Sequence, residues 1–518
     1  MAANTPQDRP RLAELIGGLS LATDLAAGLG MESALRIGLL ATEIGRELGL
    51  RGAALADVYY AGLLRFIGCS GYAHETADLG AGDDLRLLRA LTPADAASAA
   101  SAIGRAVRHG GAGLGGRARV AAGMLADPNG SKKLAAAHCE QAVALAAQLG
   151  VGATVIEALG QSYERFDGKG APRGLRGETI ALPARIMHVA FRAETQRALV
   201  GAGEALGAVR GRMGSELDPE VARAFLRRGP ELLRLVSADS VWERFLATEP
   251  APWLRIEPER VSGLALAFAR FVDLKSPFTL AHSTGVARLA ERAAAHAGLA
   301  DVERETLRTA ALLHDLGRVS VPNGIWEKAG PLNPAEWERV RLHAYQSERI
   351  VAQTPLLQPY ARIAGLHHER ADGSGYHRGV AGTGIGRMAG LLAAADAYQA
   401  MTEERPYRRA YTPQAAARTL AGEVAAGRLE REAVECVLAA AGQPGAERVR
   451  GQAPAVLSER EVEVLGLLAR GLTNKQIAAR LVISARTAQH HVEHIYRKTG
   501  ISTRAAAALF AVQHDLVH

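Results

Sequence analysis

Apolar residues recur every three or four positions through most of the chain, which is the period of an amphipathic α-helix. The clearest examples are Ile37, Leu40, Ile44 and Leu48 in the first half of the chain, and Val286, Leu289 and Ala293 in the second. Gly49 and Gly298 follow these two stretches, and glycine commonly follows the last residue of a helix. The pattern predicts an all-α protein.

The same order of residues occurs twice. Residues 33–72 align without a gap on residues 282–321, residues 163–170 on 368–375, and residues 217–221 on 429–433. Shared composition would not preserve such spacing, so the alignment indicates a duplication. The first copy carries extra sequence near 85–133, which we expect to form a loop with a short helix.

These boundaries predict four parts. A first helical domain covers residues 1–235 and a second covers 236–441. A flexible linker rich in glycine and proline covers 442–455, and a small C-terminal module covers 456–518. A chain of 518 residues is too long for one hydrophobic core, which agrees with this division.

Composition excludes several classes of protein. Hydrophobic residues make up 48% and charged residues 22%, which excludes a disordered chain. The three cysteines lie far apart without a CxxC spacing, so neither a disulfide framework nor a thiolate metal site is expected. Neither a signal peptide nor an uncharged apolar run of membrane-spanning length is found, so we expect a cytoplasmic protein without a membrane span. The net charge of +7 allows contact with nucleic acid without establishing it.

The second copy holds a set of potential metal ligands in or beside predicted helices. They are His282, His314, Asp315, His343, His367, His368 and Asp396. Any one histidine alone is more often a core or surface residue, but seven such side chains together favour a metal centre. Imidazole and carboxylate without thiolate suit Fe, Mn or Zn, and a bridging carboxylate suits two divalent ions that activate water for phosphoester hydrolysis. We assign the catalytic roles to Asp315 and to Arg318, whose guanidinium can hold a phosphate oxygen.

The first copy lacks almost all of these ligands. At the aligned positions it has Ser33, Arg65, Phe66, His138, Ser162, Tyr163 and Phe191. It nevertheless keeps Glu164, Arg165, Asp167 and Gly168, so we expect this shared motif to serve the fold. The first copy is therefore predicted to bind no metal. Its role stays open between a structural or dimerising partner and a pocket that binds a nucleotide without cutting it.

Residues 270–440 resemble an HD-GYP domain, a branch of the HD phosphohydrolase superfamily. The resemblance is carried by His314-Asp315, by His367-His368-Glu369-Arg370 with Asp372-Gly373-Ser374-Gly375-Tyr376, and by Thr402–Arg408. It implies a helical bundle with a two- or three-metal centre that hydrolyses cyclic di-GMP or a related cyclic dinucleotide. The first copy resembles a degenerate domain of the same type.

Three positions depart from the HD-GYP pattern. Arg318 stands where the family usually has lysine, and His377 replaces the proline of the name-giving motif. Phe278 stands where members with a third metal often carry glutamate, so we expect two ions. We expect His377 to be an exposed loop residue and not an additional ligand.

The C-terminal module has the signals of three consecutive helices. Ser458 and Glu461 form a capping box, Thr473 precedes a helix over 474–481, and Ser484 precedes a third helix over 485–498. This spacing lets the third helix enter a major groove. The residues predicted to contact DNA are Lys475, Ser484, Arg486, Thr487, Gln489, His490, His491, His494, Arg497 and Lys498.

The module resembles a LuxR-type helix-turn-helix, which implies DNA binding by a homodimer. It departs at Ala488 and Gln489, where the family usually has valine and lysine. Together the patterns predict a transcriptional regulator whose DNA-binding output is coupled to a metal-dependent phosphodiesterase domain. The alternative is a non-catalytic ligand-sensing domain that controls the same module. The substrate, the metal, the operator and the upstream signal stay open.

Overall fold

The structure is a computed structural model that describes residues 9–92, 103–110, 113–127, 129–442, 456–514 and 516–517. Within these ranges the chain is all-α, with isolated bridges but no β-strand, as the sequence predicted. None of the helices described is both long and apolar enough to cross a membrane.

The chain divides into two compact units, residues 1–258 and residues 259–518. The first unit thus extends beyond the division expected at 235, since Arg36 donates hydrogen bonds to the carbonyls of Val236, Ala238 and Asp239. The C-terminal module belongs to the second unit. Of the predicted linker, residues 443–455 lie outside the described residues, and the four-part division stays a prediction.

The first unit contains twelve α-helices among the residues described. They are α1 (Leu12–Ala26), α2 (Ser33–Glu47), α3 (Gly52–Leu63), α4 (Ala73–Leu79), α5 (Asp84–Leu91), α6 (Gly113–Ala126), α7 (Gly130–Leu149), α8 (Ala153–Gly160), α9 (Leu182–Leu199), α10 (Ala202–Gly211), α11 (Pro219–Leu235) and α12 (Trp242–Thr248). Helices α2 and α9 pack against each other at the centre, with Ile37, Leu40 and Ile186 fully buried.

The extra sequence of the first copy is more helical than expected. It contributes α5, a π-helical turn over Ala106–Gly110 and α6. Leu87, Ala106 and Val120, one from each of these segments, form a small apolar cluster of their own. The prediction of a loop with a short helix was wrong because these apolar side chains come together only in the folded chain.

The second unit contains nine helices of the second copy and four of the C-terminal module within the residues described. The former are α13 (Val261–Asp273), α14 (His282–His296), α15 (Asp301–Leu313), α16 (Asn323–Trp326), α17 (Pro334–Val351), α18 (Gln358–Gly365), α19 (Arg387–Thr402), α20 (Pro413–Ala425) and α21 (Arg431–Gly442). The latter are α22 (Glu459–Ala469), α23 (Asn474–Leu481), α24 (Ala485–Thr499) and α25 (Arg504–Gln513).

Helix boundaries show the duplication directly. With residue 33 placed on 282, α2 covers the same positions as α14. With residue 163 placed on 368, α8 covers the same positions as α18. Two helices that begin and end at aligned residues indicate that both copies share one fold.

The motif common to both copies organises a loop in each. The Glu164 carboxylate accepts hydrogen bonds from the backbone amides of Arg173 and Leu175. The Glu369 carboxylate does the same for Arg378 and Val380. The glycine two residues after the motif packs against the backbone: a Cβ on Gly170 or Gly375 would lie 2.4 Å from the amide nitrogen of Arg165 or Arg370. The prediction that this motif serves the fold is confirmed.

Candidate metal centre and nucleic-acid interface

The backbone around Gly317 brings the first ligands together. Helix α15 ends at Leu313, and a 3-10 turn over Leu316–Ser320 follows. This turn packs so closely on α17 that a Cβ on Gly317 would lie 2.0 Å from the His343 carbonyl oxygen. The Gly317 amide also donates to the Ser347 hydroxyl at 2.8 Å. Only glycine permits this approach, and it places Asp315 beside His343.

Asp315 lies between two groups of histidines. Its Oδ1 is 3.4 Å from His343 Nε2 and 3.8 Å from His367 Nε2. Its Oδ2 is 3.5 Å from His314 Nε2 and 3.6 Å from His282 Nε2. Two triads have ligand atoms within 4.8 Å of one another: His343 with His367 and His368, and His282 with His314 and Asp315. One carboxylate facing both groups is the arrangement that a bridging ligand needs.

Asp396 completes the set from the opposite side. One of its oxygens lies 3.2 Å from His282 Nε2 and 3.8 Å from His314 Nε2. The other oxygen lies 3.9 Å from His368 Nδ1. The structure therefore brings all seven predicted ligands to one place, and six of them are at least nine-tenths buried, with His368 partly exposed.

The rings are oriented by hydrogen bonds at the nitrogen that faces away from the centre. The Nδ1 atoms of His314 and His367 lie 2.6 Å from the carbonyl oxygens of Ala311 and Ala364, and His343 Nδ1 contacts a carbonyl oxygen in the same way. Since a carbonyl only accepts, each Nδ1 carries the proton and each Nε2 keeps a lone pair for a metal.

Two observations test whether these residues fit a metal. His314 Nε2 is buried without any hydrogen-bond partner, and His343 Nε2 lies 3.3 Å from His367 Nε2, so two lone pairs face each other. A cation between such atoms satisfies both. Imidazole and carboxylate donors suit Fe, Mn or Zn, so the residues fit a pair of divalent ions.

Burial sets the protonation of the ligands. Burial, together with the nearby His314 and His343 rings, lowers the pKa of His367 to about 3, and burial likewise holds the pKa of His368 well below its usual range. Both rings are therefore neutral and able to ligate at neutral pH. Burial also lowers the pKa of His282, but the carboxylates of Glu403 and Asp396 overcome this and raise it to about 10.

The aligned position in the first copy is filled by a different set of side chains. The Arg65 guanidinium lies 4.6 Å from the Tyr163 ring centroid and 4.5 Å from that of Phe191, and its side chain is 5% exposed. Burial and this guanidinium lower the pKa of His138 to about 3. Aromatic rings and a cation thus stand where the second copy has carboxylates and imidazoles.

A cavity of about 400 Å³ opens over the predicted metal ligands. Its walls carry three cationic side chains, Arg318, Lys328 and Arg405, and five aromatic side chains, Phe278, Trp326, Trp337, Tyr376 and Tyr407. Cations suit phosphate groups, and exposed ring faces such as those of Trp337 and Tyr407, 44% and 60% exposed, suit nucleobases. The cavity matches an anionic ligand that also has aromatic rings.

Sequence reasoning missed Trp326, which positions Arg318. The Arg318 guanidinium lies 4.0 Å from the Trp326 ring centroid and donates to Asp315 Oδ2 at 3.1 Å. The Trp326 indole donates to the Arg318 carbonyl at 3.2 Å. A tryptophan eight residues after an arginine gives no helical or strand signal, so only the folded chain reveals this contact.

His377 differs from its prediction as an exposed loop residue. Its side chain is 13% exposed and packs 5.3 Å from the Tyr345 ring, while its Nε2 lies 3.8 Å from a Glu348 oxygen. Neither metal-ligand group contains it. The expectation of exposure was wrong because α17 covers this loop, and His377 lies outside the ligand set.

Glu403, also missed from sequence, orients His282. Its carboxylate lies 2.9 Å from His282 Nδ1 and receives a hydrogen bond from Arg405 at 2.8 Å. Glu403 directly follows α19, which ends at Thr402, and its backbone is extended, so the helical period of α19 gave no signal for it.

We expect Glu403→Gln to weaken binding of Zn²⁺ to the full chain about 10- to 100-fold, because a carboxylate on the outer nitrogen makes the histidine a stronger ligand. Competition with a chelator measures this affinity. The control is Glu404→Gln, an exposed neighbour, which should bind Zn²⁺ as the wild type does. Equal affinities for the wild type and Glu403→Gln would refute the orienting role.

The C-terminal module begins as predicted. Ser458 and Glu461 form a capping box, and Ser484 accepts from the Thr487 amide at the start of α24. Burial opposes ionisation of Glu461, but hydrogen bonds from Lys498 and Ser458 lower its pKa to about 2. Lys498 Nζ lies 2.7 Å from this carboxylate, so it ties α24 to α22.

The other predicted DNA contacts lie on and beside α24. The exposed residues are Lys475, Ser484, Arg486, Thr487, Gln489, His490 and Arg497, while His491 and His494 are partly buried. Ala488, Val492 and Ile495 form the inward face. Gln489 donates to Glu493 at 2.9 Å, and the rings of His490 and His494 lie 4.0 Å apart. One face of α24 thus presents two arginines and several polar groups to solvent.

Comparison with known families gives two matches. A model described as "HD domain" matches residues 129–221 and 267–432, so it covers parts of both copies. A model described as "Bacterial regulatory proteins, luxR family" matches residues 455–511.

Individual relatives support the first match. A 3'3'-cGAMP-specific phosphodiesterase 3 of Vibrio cholerae is 32% identical over 405 residues, which are 77% of this chain and 88% of the relative. A cyclic di-GMP phosphodiesterase response regulator, RpfG of Xanthomonas campestris, is 32% identical over 206 residues, 39% of this chain and 54% of the relative. The crystal structure of a cyclic GMP-AMP specific phosphodiesterase of Vibrio cholerae superposes with a TM-score of 0.59 at 27% identity, covering 84% of this chain and 99% of that one.

Proposed function

The chain belongs to the HD domain family, and we propose that its second copy is a metal-dependent phosphodiesterase that hydrolyses a cyclic dinucleotide. The observation that carries the proposal is the position of Asp315, whose two oxygens each face a separate group of histidines. Relatives named for cleavage of 3'3'-cGAMP and of cyclic di-GMP support the substrate class.

The residues of the cavity have different roles in such a reaction. The seven predicted ligands would hold divalent ions, which when bound would supply Lewis acidity at the phosphate and lower the pKa of water. Arg318, held by Asp315 and Trp326, presents its remaining N–H groups to a phosphate oxygen. Trp337 and Tyr407 provide ring faces on which bases can stack. Burial of the ligands excludes water from all but the open side of the cavity.

The test of the hydrolase proposal is turnover of 3'3'-cGAMP and of cyclic di-GMP by the full chain loaded with Mn²⁺, Fe²⁺ or Zn²⁺. Release of linear dinucleotide or mononucleotide is the expected result. Bound metal without turnover of either compound or of a generic phosphodiester would favour the alternative, a ligand-sensing domain. The observation that supports this alternative is Arg318, which stands where the family usually has lysine.

The luxR-family match implies DNA binding by residues 456–518. We propose that the module binds as a homodimer in the cytoplasm, and that its output depends on the ligand of the second copy. The exposed arginines of α24 supply the contacts to phosphate and to base edges.

We expect Arg486→Ala to weaken binding of a duplex that the full chain selects from a random-sequence library. If Arg486 contacts a phosphate, the slope of log affinity against log salt should fall in magnitude by about one unit per bound copy. Fluorescence anisotropy across a salt series measures both quantities. Arg431→Ala, exposed at the start of α21, is the charge-matched control and should leave affinity and slope unchanged. An unaltered affinity for Arg486→Ala would remove that residue from the interface.

A further inference from the structure

Residues 274–281, which we call the connecting segment, join α13 to α14 and contact two different parts of the second unit. Ser276, Phe278 and Thr279 line the cavity over the metal ligands. Leu274, Leu280 and Ala281 instead pack against the apolar core of the C-terminal module. Cavity-lining residues and module-contacting residues are interspersed along this short segment, so the segment lies between the cavity and the module.

On the cavity side, groups that surround the ligand site hold the segment. Arg405 donates to the Phe278 carbonyl oxygen at 2.6 Å, and the Ser276 hydroxyl donates to Glu327 at 2.8 Å. Arg405 itself lines the cavity. An anionic ligand that binds the Arg405 guanidinium therefore displaces the segment through the hydrogen bond from Arg405 to Phe278.

On the module side, the contact reaches the core of the helix-turn-helix. Ala281, 7% exposed, belongs to the same buried cluster as Leu465 of α22 and Ile477 of α23. A Cβ on Gly471, which joins these two helices, would lie 3.4 Å from the Pro277 ring. The segment thus meets the module where its first two helices are connected.

The segment is a fixed part of the fold. Ala281, which directly precedes the ligand His282, has a left-handed backbone with φ of 60°, and the aligned Glu32 of the first copy has φ of 69°. Thr279 is buried and bonds to the Asp273 carbonyl oxygen at 3.0 Å. Coupling between sites is carried by packed side chains and hydrogen bonds, and this segment has both.

Docking of the module leaves its DNA-binding face open. Arg486, Gln489 and Arg497 on α24 are exposed while Leu280 and Ala281 contact the module core. The contact therefore does not mask the recognition helix, and any effect on DNA binding comes from the position of the module.

We propose that the connecting segment couples the cavity to the DNA-binding module, so that a cyclic dinucleotide in the cavity changes DNA affinity by altering how the module docks on residues 274–281. This inference rests on the proposed function for the class of ligand. Because coupling between two sites is reciprocal, DNA must change the affinity for the dinucleotide by the same factor.

The experiment uses the full, metal-loaded chain, a phosphorothioate analogue of 3'3'-cGAMP that resists hydrolysis, and a duplex selected by the full chain from a random library. Saturating analogue should change DNA affinity of the wild type about fivefold or more, and saturating DNA should change analogue affinity equally. Leu280→Ala, on the module side of the segment, should reduce both effects below about twofold while analogue affinity without DNA stays unchanged.

Leu356→Ala is the matched control, because Leu356 is also partly buried in the second unit but neither lines the cavity nor joins the module core. It should retain the full coupling. Leu274→Ala provides a second module-side variant, and thermal unfolding identifies any variant that fails to fold.

Four outcomes decide between the proposals. An analogue that binds without affecting DNA affinity overturns the coupling alone, as does full coupling in both module-side variants. An analogue that does not bind overturns the ligand class and the coupling together. Because the analogue is not cut, absence of turnover with natural substrates would overturn the hydrolase proposal and leave the coupling result standing.

Discussion

Asp315→Ala should lose nearly all hydrolysis of a cyclic dinucleotide, with kcat/KM reduced about a thousandfold or more. Its two oxygens are the only atoms among the described ligands placed within 3.8 Å of four histidine Nε2 atoms, two on each side. Removing them leaves Asp396 as the remaining carboxylate that faces both groups, and its second oxygen lies 3.9 Å from a single histidine, His368. Metal ions contribute several kcal/mol to such reactions, and about 4 kcal/mol corresponds to the thousandfold loss.

Steady-state kinetics and metal content, measured together, check this expectation. The variant should bind less metal than the wild type at equal metal concentration. Asp301→Ala is the control, because this carboxylate is 89% exposed in the first turn of α15 and only pairs with Arg304. Asp315→Ala that keeps a tenth of the wild-type activity would show that Asp315 is not the bridging ligand.

Gly317→Ala should destabilise the second unit by about 3 kcal/mol and reduce metal binding with it. An added Cβ would lie 2.0 Å from the His343 carbonyl oxygen and 2.8 Å from the Ser347 amide nitrogen, both backbone atoms of α17. Either the turn or α17 must move, and overpacking a buried contact costs about 1–3 kcal/mol or more. The movement separates Asp315 from His343, so stability and metal affinity should fall together.

Chemical unfolding and metal titration measure the two effects. The same substitution at Gly68 should destabilise the first unit without changing metal affinity, because its Cβ would lie 2.0 Å from the His138 carbonyl oxygen, the aligned atom of the first copy. Gly422→Ala in α20 is the control, since no atom lies within 4 Å of its added Cβ. Replacing a glycine within a helix by alanine stabilises by about 0.5–1 kcal/mol. Unchanged stability in Gly317→Ala would contradict the close packing described for the turn.

Elements with strong local signals were predictable from sequence. The helices of the C-terminal module follow capping residues, and α23 begins and ends at the predicted residues Asn474 and Leu481. Caps and helical periodicity act between residues three or four positions apart, so the sequence displays them directly. The internal duplication was also predictable from sequence, because helices that align in the two copies keep the same residue spacing.

Contacts between residues that are distant in the sequence were harder to predict. Glu403 contacts His282 across the fold, and it lies just beyond the end of α19, where helical spacing gives no signal. Trp326 stacks on Arg318 within a short irregular stretch that has no periodicity. The extra segment of the first copy is more helical than the predicted loop with a short helix, because Leu87, Ala106 and Val120 form their apolar cluster only after folding.

By itself, the sequence determined the helical class, the duplication, the seven candidate ligands and the helix-turn-helix, because each depends on residue type and spacing along the chain. Only the tertiary structure decided how these ligands are arranged. Asp315 faces two histidine groups because Gly317 lets the turn pack on α17, and residues 274–281 lie between the cavity and the module because α13 and α14 present them there. These contacts depend on which backbone segments pack against each other, and residue spacing along the chain does not predict that packing.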